Sequence, residues 1–423
     1  MTASALEIDY FTDKAVLLDP YDFLEGVREH GPVVQMKSRD IIAVTGFQES
    51  VDVLLNTRDF SSILNPEPTA PLRFEPEGDD ITAQIDAAMG TGPMDLMVSY
   101  DGKLHADARS LLNPLFTPSR LKANELYMRD LADRMVRDMV AKGTCEAIAE
   151  VATPYVTLVI ADLLGVPEDD RQKFRDVIDA GPPPGNMDAR SSGGVPESHP
   201  LMFMAGFFMQ YMSQRRAAPQ DDLLTELASA AYPDGAEVPL MEAVKSAMFL
   251  FAAGQDTSAK LIGNSLRILC ENPELQAELR ADYSKIPGFL EEVLRLEGST
   301  KTTFRLSKRK TKIGDMEIPA GKRIVVFVSA ANRDPRRWDD PQAFRLGRPK
   351  IKEHLAFGRG AHVCAGAPLA RKEVAVLYEC LFEQSSDIRL SEAHHGPKGA
   401  RRIDYEPSFI IRGLANLHVE FAA

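Results

Sequence analysis

Residues 354–382, HLAFGRGAHVCAGAPLARKEVAVLYECLF, leave this chain the least freedom. A Gly-rich loop, Phe357-Gly358-Arg359-Gly360-Ala361-His362-Val363, delivers Cys364 to the start of a helical pattern. The apolar face of that pattern is Leu369, Val374, Leu377, Tyr378 and Leu381. The free N–H groups and dipole of a helix N-terminus lower a cysteine pKa and favour the thiolate. Glycines at 358, 360 and 366 let backbone approach something flat and bulky without Cβ clashes. Two plainer readings compete. A dinucleotide loop needs GxGxxG, but Val363 stands three residues past Gly360. A buried structural cysteine is the usual fate of a lone Cys, yet it leaves three glycines and a histidine around it unexplained.

Composition narrows the partners. The net charge of −13 argues against a non-specific grip on DNA or RNA, which depends on neutralising phosphates. With 44% hydrophobic and 26% charged residues, the chain is neither disordered nor a coiled coil. Four cysteines, at 145, 270, 364 and 380, form no CxxC pair, so neither a disulfide scaffold nor a structural zinc site is expected. The start, MTASALEIDYFTDKAV, has no signal-peptide pattern. The longest uncharged run, 198–214, is too short and too polar to span a bilayer. A soluble protein of a reducing cytoplasm is expected, with no nucleic-acid or membrane partner.

Residues 31–36 and 41–47 read as a strand pair, and the chain then turns mainly helical. Residues 124–142 place Leu126, Met128, Leu131, Met135 and Met139 at helical spacing. Residues 150–165, 221–231 and 241–270 also read as helices. Strand signals return at 311–330, with a β-branched run at 324–328, and a last hairpin is expected around 408–421. Residues 181–200, with five prolines and four glycines, form no regular structure. Apolar helices flank them, so a lid over an apolar cleft is favoured over a plain linker.

FGRGAHVCAG resembles the haem-binding loop of the cytochrome P450 family, Phe-Gly-x-Gly-x-His-x-Cys-x-Gly, at every defined position. Other marks follow in the family's order. Ala253-Gly254-Gln255-Asp256-Thr257-Ser258, polar within an apolar helix, is similar to the oxygen-activating helix. Glu292 and Arg295 share a helix face at i,i+3 and match the family's ExxR pair, with Arg333 and Arg348 available to it. Two departures stand out: Asp101-Gly102-Lys103-Leu104 replaces a frequent proline pair before His105, and Trp338 stands where Phe is commoner.

The resemblance implies a mainly α fold with smaller β regions. It would be a triangular, α-rich single domain with haem between the long central helix and the Cys loop. That domain would span 1–423, β-richer over about 1–80, with no fused reductase. The implied cofactor is haem b, iron protoporphyrin IX, with Cys364 as axial iron ligand and Phe357, Gly358 and Gly366 in its loop. His105, Arg109, Arg305 and His362 would meet the propionates, since guanidinium forks suit carboxylates. Thr257 would hydrogen-bond bound oxygen, with Asp256 relaying protons. Glu292 and Arg295 would brace the core. The implied activity is insertion of one oxygen atom of O2 into a C–H bond, a thiolate ligand favouring O–O cleavage. Electrons would come from a separate ferredoxin, [2Fe–2S] in type, with an NAD(P)H-dependent reductase. Arg359, Arg371 and Lys372 would offer a docking patch.

Pocket positions implied by the resemblance are Met89, Met94, Leu96, Met97, Phe249, Ala252, Ala253, Thr302, Thr303, Ile410 and Ile411. They are apolar and Met-rich, suiting a terpenoid, steroid-like or aromatic substrate, and offer no cation for a fatty-acid carboxylate. A peroxide-driven peroxygenase and a haem sensor are the alternatives, but neither needs Asp256-Thr257. A monomer is expected.

Overall fold

The structure, a computed structural model, describes residues 4–65, 67–92, 95–179 and 200–422. The expected lid over 181–200 falls almost wholly outside these residues, as does Met94.

Helices dominate. The apolar run around Gly254 forms one 32-residue helix, Leu240–Glu271, buried along most of its length. Thr153–Leu164, apolar on nearly every face, packs against it and is correspondingly buried all round. Pro200–Ala217 packs on the same central helix, and Pro118–Lys142 runs along the helix after Cys364, Ala367–Gln384. Within Pro118–Lys142 the expected core positions Met128, Leu131 and Met139 are buried, but Leu126 is 79% exposed. Periodicity places Leu126 near the stripe; it does not say where the stripe ends.

The strand pair at the N-terminus forms as expected: Val33–Gln35 lies antiparallel to Ile41–Val44. Ile41–Val44 then runs parallel to Arg323–Val326, which pairs antiparallel with Thr303–Ser307, and Phe60–Ser61 closes the five-stranded sheet. The 311–330 segment is divided. Thr311–Ile313 and Met316–Ile318 make a hairpin, Arg323–Val326 joins the larger sheet, and Val328–Ala331 is a helical turn. The expected hairpin at 408–421 is displaced. Tyr405 bridges Leu414, while His418–Ala422 pairs with Thr144–Glu146 and Asp387–Leu390 in a separate sheet.

The Cys side of the fold is tied together by a buried ionic group. Arg295 meets Glu292 through two contacts, Nε–Oε2 at 2.9 Å and Nη2–Oε1 at 2.8 Å. Arg348 Nε donates to the same carboxylate at 2.9 Å, and the Arg345 amide at 3.0 Å. Arg295 also donates to the carbonyls of Asn332, Pro341 and Ala343. Arg333 departs from expectation. It pairs with Glu297 at 3.2 Å and stacks 3.7 Å over Tyr21, because the Glu297 carboxylate and Leu296 carbonyl lie nearer its own turn. Trp338 is 2% exposed, with Arg337 4.5 Å and Arg295 5.6 Å over its ring.

Removing one partner of a buried ion group leaves an uncompensated charge and costs about 3–5 kcal/mol. Arg295→Leu is therefore expected to lower unfolding free energy by that order in denaturant titration, whereas Leu126→Ala should stay within about 0.5 kcal/mol of the parent. A mild Arg295→Leu effect would contradict the packing described here.

Candidate active site

The loop 354–364 is shaped by its backbone. Gly358 N–H donates to Leu355 O at 2.8 Å, Val363 N–H to Gly360 O at 3.1 Å, and Cys364 N–H to Phe357 O at 2.8 Å. Gly360 adopts φ +75°, and a Cβ there would sit 2.7 Å from Leu54 O, so a larger residue would be both strained and obstructed. Arg371 lies 4.5 Å over the Phe357 ring. The helix Ala367–Gln384 begins just beyond, capped by Gly366 with Pro368 in its first turn.

Cys364 opens onto the main cavity and keeps exposed surface there, while protein encloses it elsewhere. Burial is the largest influence on its thiol and raises the pKa. The amides of Gly366 and Ala367 and the charges of Arg109 and Arg371 pull it down without overcoming burial. The lowering expected from the helix N-terminus is thus present but outweighed.

Beside the loop, cations collect. The His105 and His362 rings lie 4.0 Å apart. Arg109 Nη1 donates to Val363 O, and Arg305 Nη1 donates to Phe304 O at 2.7 Å and Thr303 Oγ1 at 3.2 Å. Among the described residues neither arginine has a carboxylate ion-pair partner. Burial, then Arg305, His105 and Arg109, press the His362 pKa down to about 2. Burial lowers Arg305 to about 10. His105 Nε2 is buried with no hydrogen-bond partner. Asp101 reaches this region, pairing with Lys308 at 3.1 Å and accepting from the Ser62 amide, which fixes the helix start before His105. Buried positive charge with an orphaned ring nitrogen calls for an anion. A group that carries two carboxylates and takes a thiolate ligand would fit this donor set.

The cavity beside Cys364 has a volume of about 350 Å³. Met97, Phe249, Ala253, Thr302, Thr303 and Ile410 line it, as do Val98, Ile160, Leu250 and Val328. Four other pocket candidates do not. Met89 packs with the N-terminal core and Ala252 with the helical core, Leu96 lines a smaller neighbouring pocket, and Ile411 bridges Thr300. His105, Arg109, Arg305, His362, Phe357, Gly358 and Gly366 all reach the cavity. Glu292 and Arg295 lie off it in the core described above.

Thr257 lines the cavity; its Oγ1 donates back to Ala253 O at 2.9 Å, and Ser299 Oγ donates to Thr257 O at 2.6 Å. Such bonds loosen a helix locally. Asp256 does not line the cavity but pairs with Lys260 at 3.1 Å, and burial raises its pKa against the pull of Lys260. Sequence reasoning missed Glu373. Its carboxyl lines the cavity, hydrogen-bonds Ser258, leaves Oε2 without a partner, and is raised by burial to about 8. A charged residue on the apolar face of the helix Ala367–Gln384 was the available signal. The expected docking cations are partly engaged: Arg371 pairs with Glu291, Lys372 with Glu125 at 2.7 Å, and Arg359 donates to Glu353 O. Among the described residues no helix is long and apolar enough to cross a membrane.

A cysteine on a glycine loop that shares one largely apolar cavity with the long central helix and a cluster of arginines and histidines suits a haem-thiolate oxidoreductase. Comparison with known proteins agrees. The family model described as Cytochrome P450 matches residues 201–384. The cytochrome P450 monooxygenase PikC of Streptomyces venezuelae is 30% identical, covering 95% of this chain and 91% of its own length. Cytochrome P450 144 of Mycobacterium tuberculosis is 29% identical over 95% of this chain and 88% of its own. Substrate-free Mycobacterium marinum cytochrome P450 CYP150A6 superposes with a TM-score of 0.91 at 44% identity, covering 99% of both chains. The chain belongs to the cytochrome P450 monooxygenase family, and membership implies a haem-thiolate cofactor.

Glu373 generates a pH prediction. Its folded pKa is raised above the unfolded value of 4.5, so the folded state binds the extra proton between 4.5 and about 8. Stability is fully present below 4.5 and falls as pH rises through that window, by about 1.4 kcal/mol per pH unit for one proton. Glu373→Gln should lessen the slope in melts from pH 5 to 8 by that amount, leaving what Asp256 and Glu406 contribute. An unchanged slope would show that Glu373 is ionised in the folded protein.

Proposed function

We propose that this chain is an O2-dependent monooxygenase that hydroxylates a small to medium hydrophobic molecule, terpenoid, steroid-like or aromatic. The observation that carries the reading is the cavity itself: apolar side chains face Cys364, and its arginines stand with the histidines beside the Cys loop. Besides Arg109, Arg305 and the Cys-loop Arg359, the described lining residues offer no Lys or Arg to hold a substrate carboxylate, which disfavours fatty acids.

The residues divide the work. Cys364 would ligate the iron of haem b. Arg109, Arg305, His105 and His362 would hold its two carboxylates, the last two as neutral imidazoles donating N–H. When bound, haem supplies reductive activation of O2 and oxygen insertion into a C–H bond. The apolar wall of Met97, Phe249 and Ile410 excludes water and orients the substrate. Thr257 Oγ1, freed from the Ala253 carbonyl, presents a hydroxyl to the cavity, and Asp256 replenishes its proton from the far side of the helix. That acid–alcohol pair favours O2 over peroxide as oxidant. We infer a monomeric, cytoplasmic, single haem domain served by a [2Fe–2S] ferredoxin and an NAD(P)H-dependent reductase. The four free cysteines are compatible with a reducing compartment.

The reduced protein with carbon monoxide is expected to show the strongly red-shifted Soret band of thiolate ligation, lost in Cys364→His. A band at the position of His-ligated haem in the parent would overturn the assignment. With a surrogate ferredoxin system, Thr257→Ala should lower product formed per NAD(P)H by at least about tenfold, toward the ~10² that a positioned proton donor contributes, with hydrogen peroxide released instead.

A further inference from the structure

Asp256 is held by an arrangement that the reading above does not use. Lys260, one turn on along the central helix, lies 3.1 Å from Asp256 Oδ1 and 2.6 Å from Glu406 Oε2. The three side chains are 15%, 6% and 18% exposed for Asp256, Lys260 and Glu406, so the group is largely withdrawn from water. Glu406 comes from a different part of the fold. Its amide donates to Gly413 O at 3.0 Å and the Ala415 amide to Asp404 O at 2.8 Å, closing the C-terminal turn that carries Ile410 into the cavity. The stem of Lys260 lies across Gly413.

We propose that Lys260 and Glu406 are positioning residues of the proton relay: Lys260 bridges Asp256 and a second carboxylate, Glu406, so that the three groups hold one exchangeable proton between two carboxyls. This rests on the reading of Asp256 and Thr257 as the relay.

Charge balance is the reason. Fully ionised, the group carries −1; with one proton it is neutral and Lys260 still has a full counter-ion. Burial of an unmatched charge is costly, so the singly protonated group is favoured. Burial lowers the Lys260 pKa, but Asp256 and Glu406 together raise it above its ordinary value. Burial raises both carboxyl groups, and Asp256 raises Glu406 further, as for any like-charged pair sharing a site. Without Glu406, protonating Asp256 would strand a buried ammonium, and Asp256 would stay ionised. Only O–H bonds change as the group works: a proton given up toward Thr257 is replaced from solvent through Glu406, and Lys260 keeps its own protons. Two other acids among the described residues sit outside this group. Glu373 sits against Ser258, and Glu297 is held by Arg412 at 3.0 Å and Arg333 at 3.2 Å.

The test compares holoenzyme variants by infrared spectroscopy of protonated carboxyls near neutral pH, confirmed by the shift in D2O, with Glu373 common to all samples. Glu406→Gln and Asp256→Asn should each lose the same band, because the remaining carboxylate pairs with Lys260. Lys260→Met should gain absorption, because both carboxyls are then buried without a cation. With the surrogate electron system, Glu406→Gln should lower product per NAD(P)H about tenfold and raise the solvent isotope effect, below the ~10² of losing a proton donor outright, and Glu406→Asp should recover to within about twofold of the parent. Substrate affinity, read by spin shift, should not change. If Glu406→Gln keeps the band and couples like the parent while Asp256→Asn uncouples, the proposal is overturned and the relay stands. If Asp256→Asn couples normally, the relay reading falls and this one with it. Should Glu406→Gln not retain haem, the Lys260→Met band and Glu406→Asp coupling decide the matter.

Discussion

Two guanidinium groups share one fully buried carboxylate, that of Glu292, and much of the molecule is arranged to make this affordable. Arg295 and Arg348 both pair with it, and their remaining N–H groups bond carbonyls of residues 332–343. Those carbonyls belong to an irregular segment with little secondary structure to satisfy its backbone. The ionic group therefore supplies the hydrogen bonds that a helix or sheet would otherwise provide. The segment it organises leads directly into the loop that presents Cys364. Asn332 extends the same connection, accepting from the Leu355 amide at 2.7 Å at the base of that loop. Position of the thiol is thus inherited from a cluster that never touches the cavity.

Legibility followed locality. The Cys loop could be read because its shape depends on residues within ten positions of one another, and glycine, histidine and cysteine each narrow what the backbone can do. The long central helix was legible for the same reason, since an apolar run of that length has few alternatives. What escaped depends on distant partners. Glu373 reads as one more charge on a helix until Ser258, more than a hundred positions earlier, is packed against it. Glu406 has no sequence mark at all; only the C-terminal turn brings it to Lys260. Arg333 illustrates a different failure. Its position suggested the Glu292 cluster, but Glu297 and the Tyr21 ring from the N-terminal region offered nearer contacts. Leu126 and the displaced strand His418–Ala422 show that periodicity identifies an element without fixing its partner.

The two sides of the cavity manage charge in opposite ways. Beside the Cys loop, burial and then the accumulated positive groups keep His362 from holding a proton, a state that an anionic ligand would relieve. Across the central helix, acids outnumber the one lysine between them, a state that a proton relieves. An acidic chain of net charge −13 has thus concentrated unmatched cations where a dicarboxylate would sit and unmatched anions where protons would pass.

Trp338 is the chain's sole tryptophan, and it is wedged between Arg295 and Arg337 with Phe47 edge-on at 5.9 Å. Indole emission from this protein therefore has a single origin. It arises beside the irregular segment braced by Glu292, at a residue that does not line the substrate cavity. Followed without cofactor, where no haem quenches the indole, a fluorescence unfolding curve would watch the braced segment alone, and its shift on adding cofactor would measure how tightly the brace and the thiolate loop are joined.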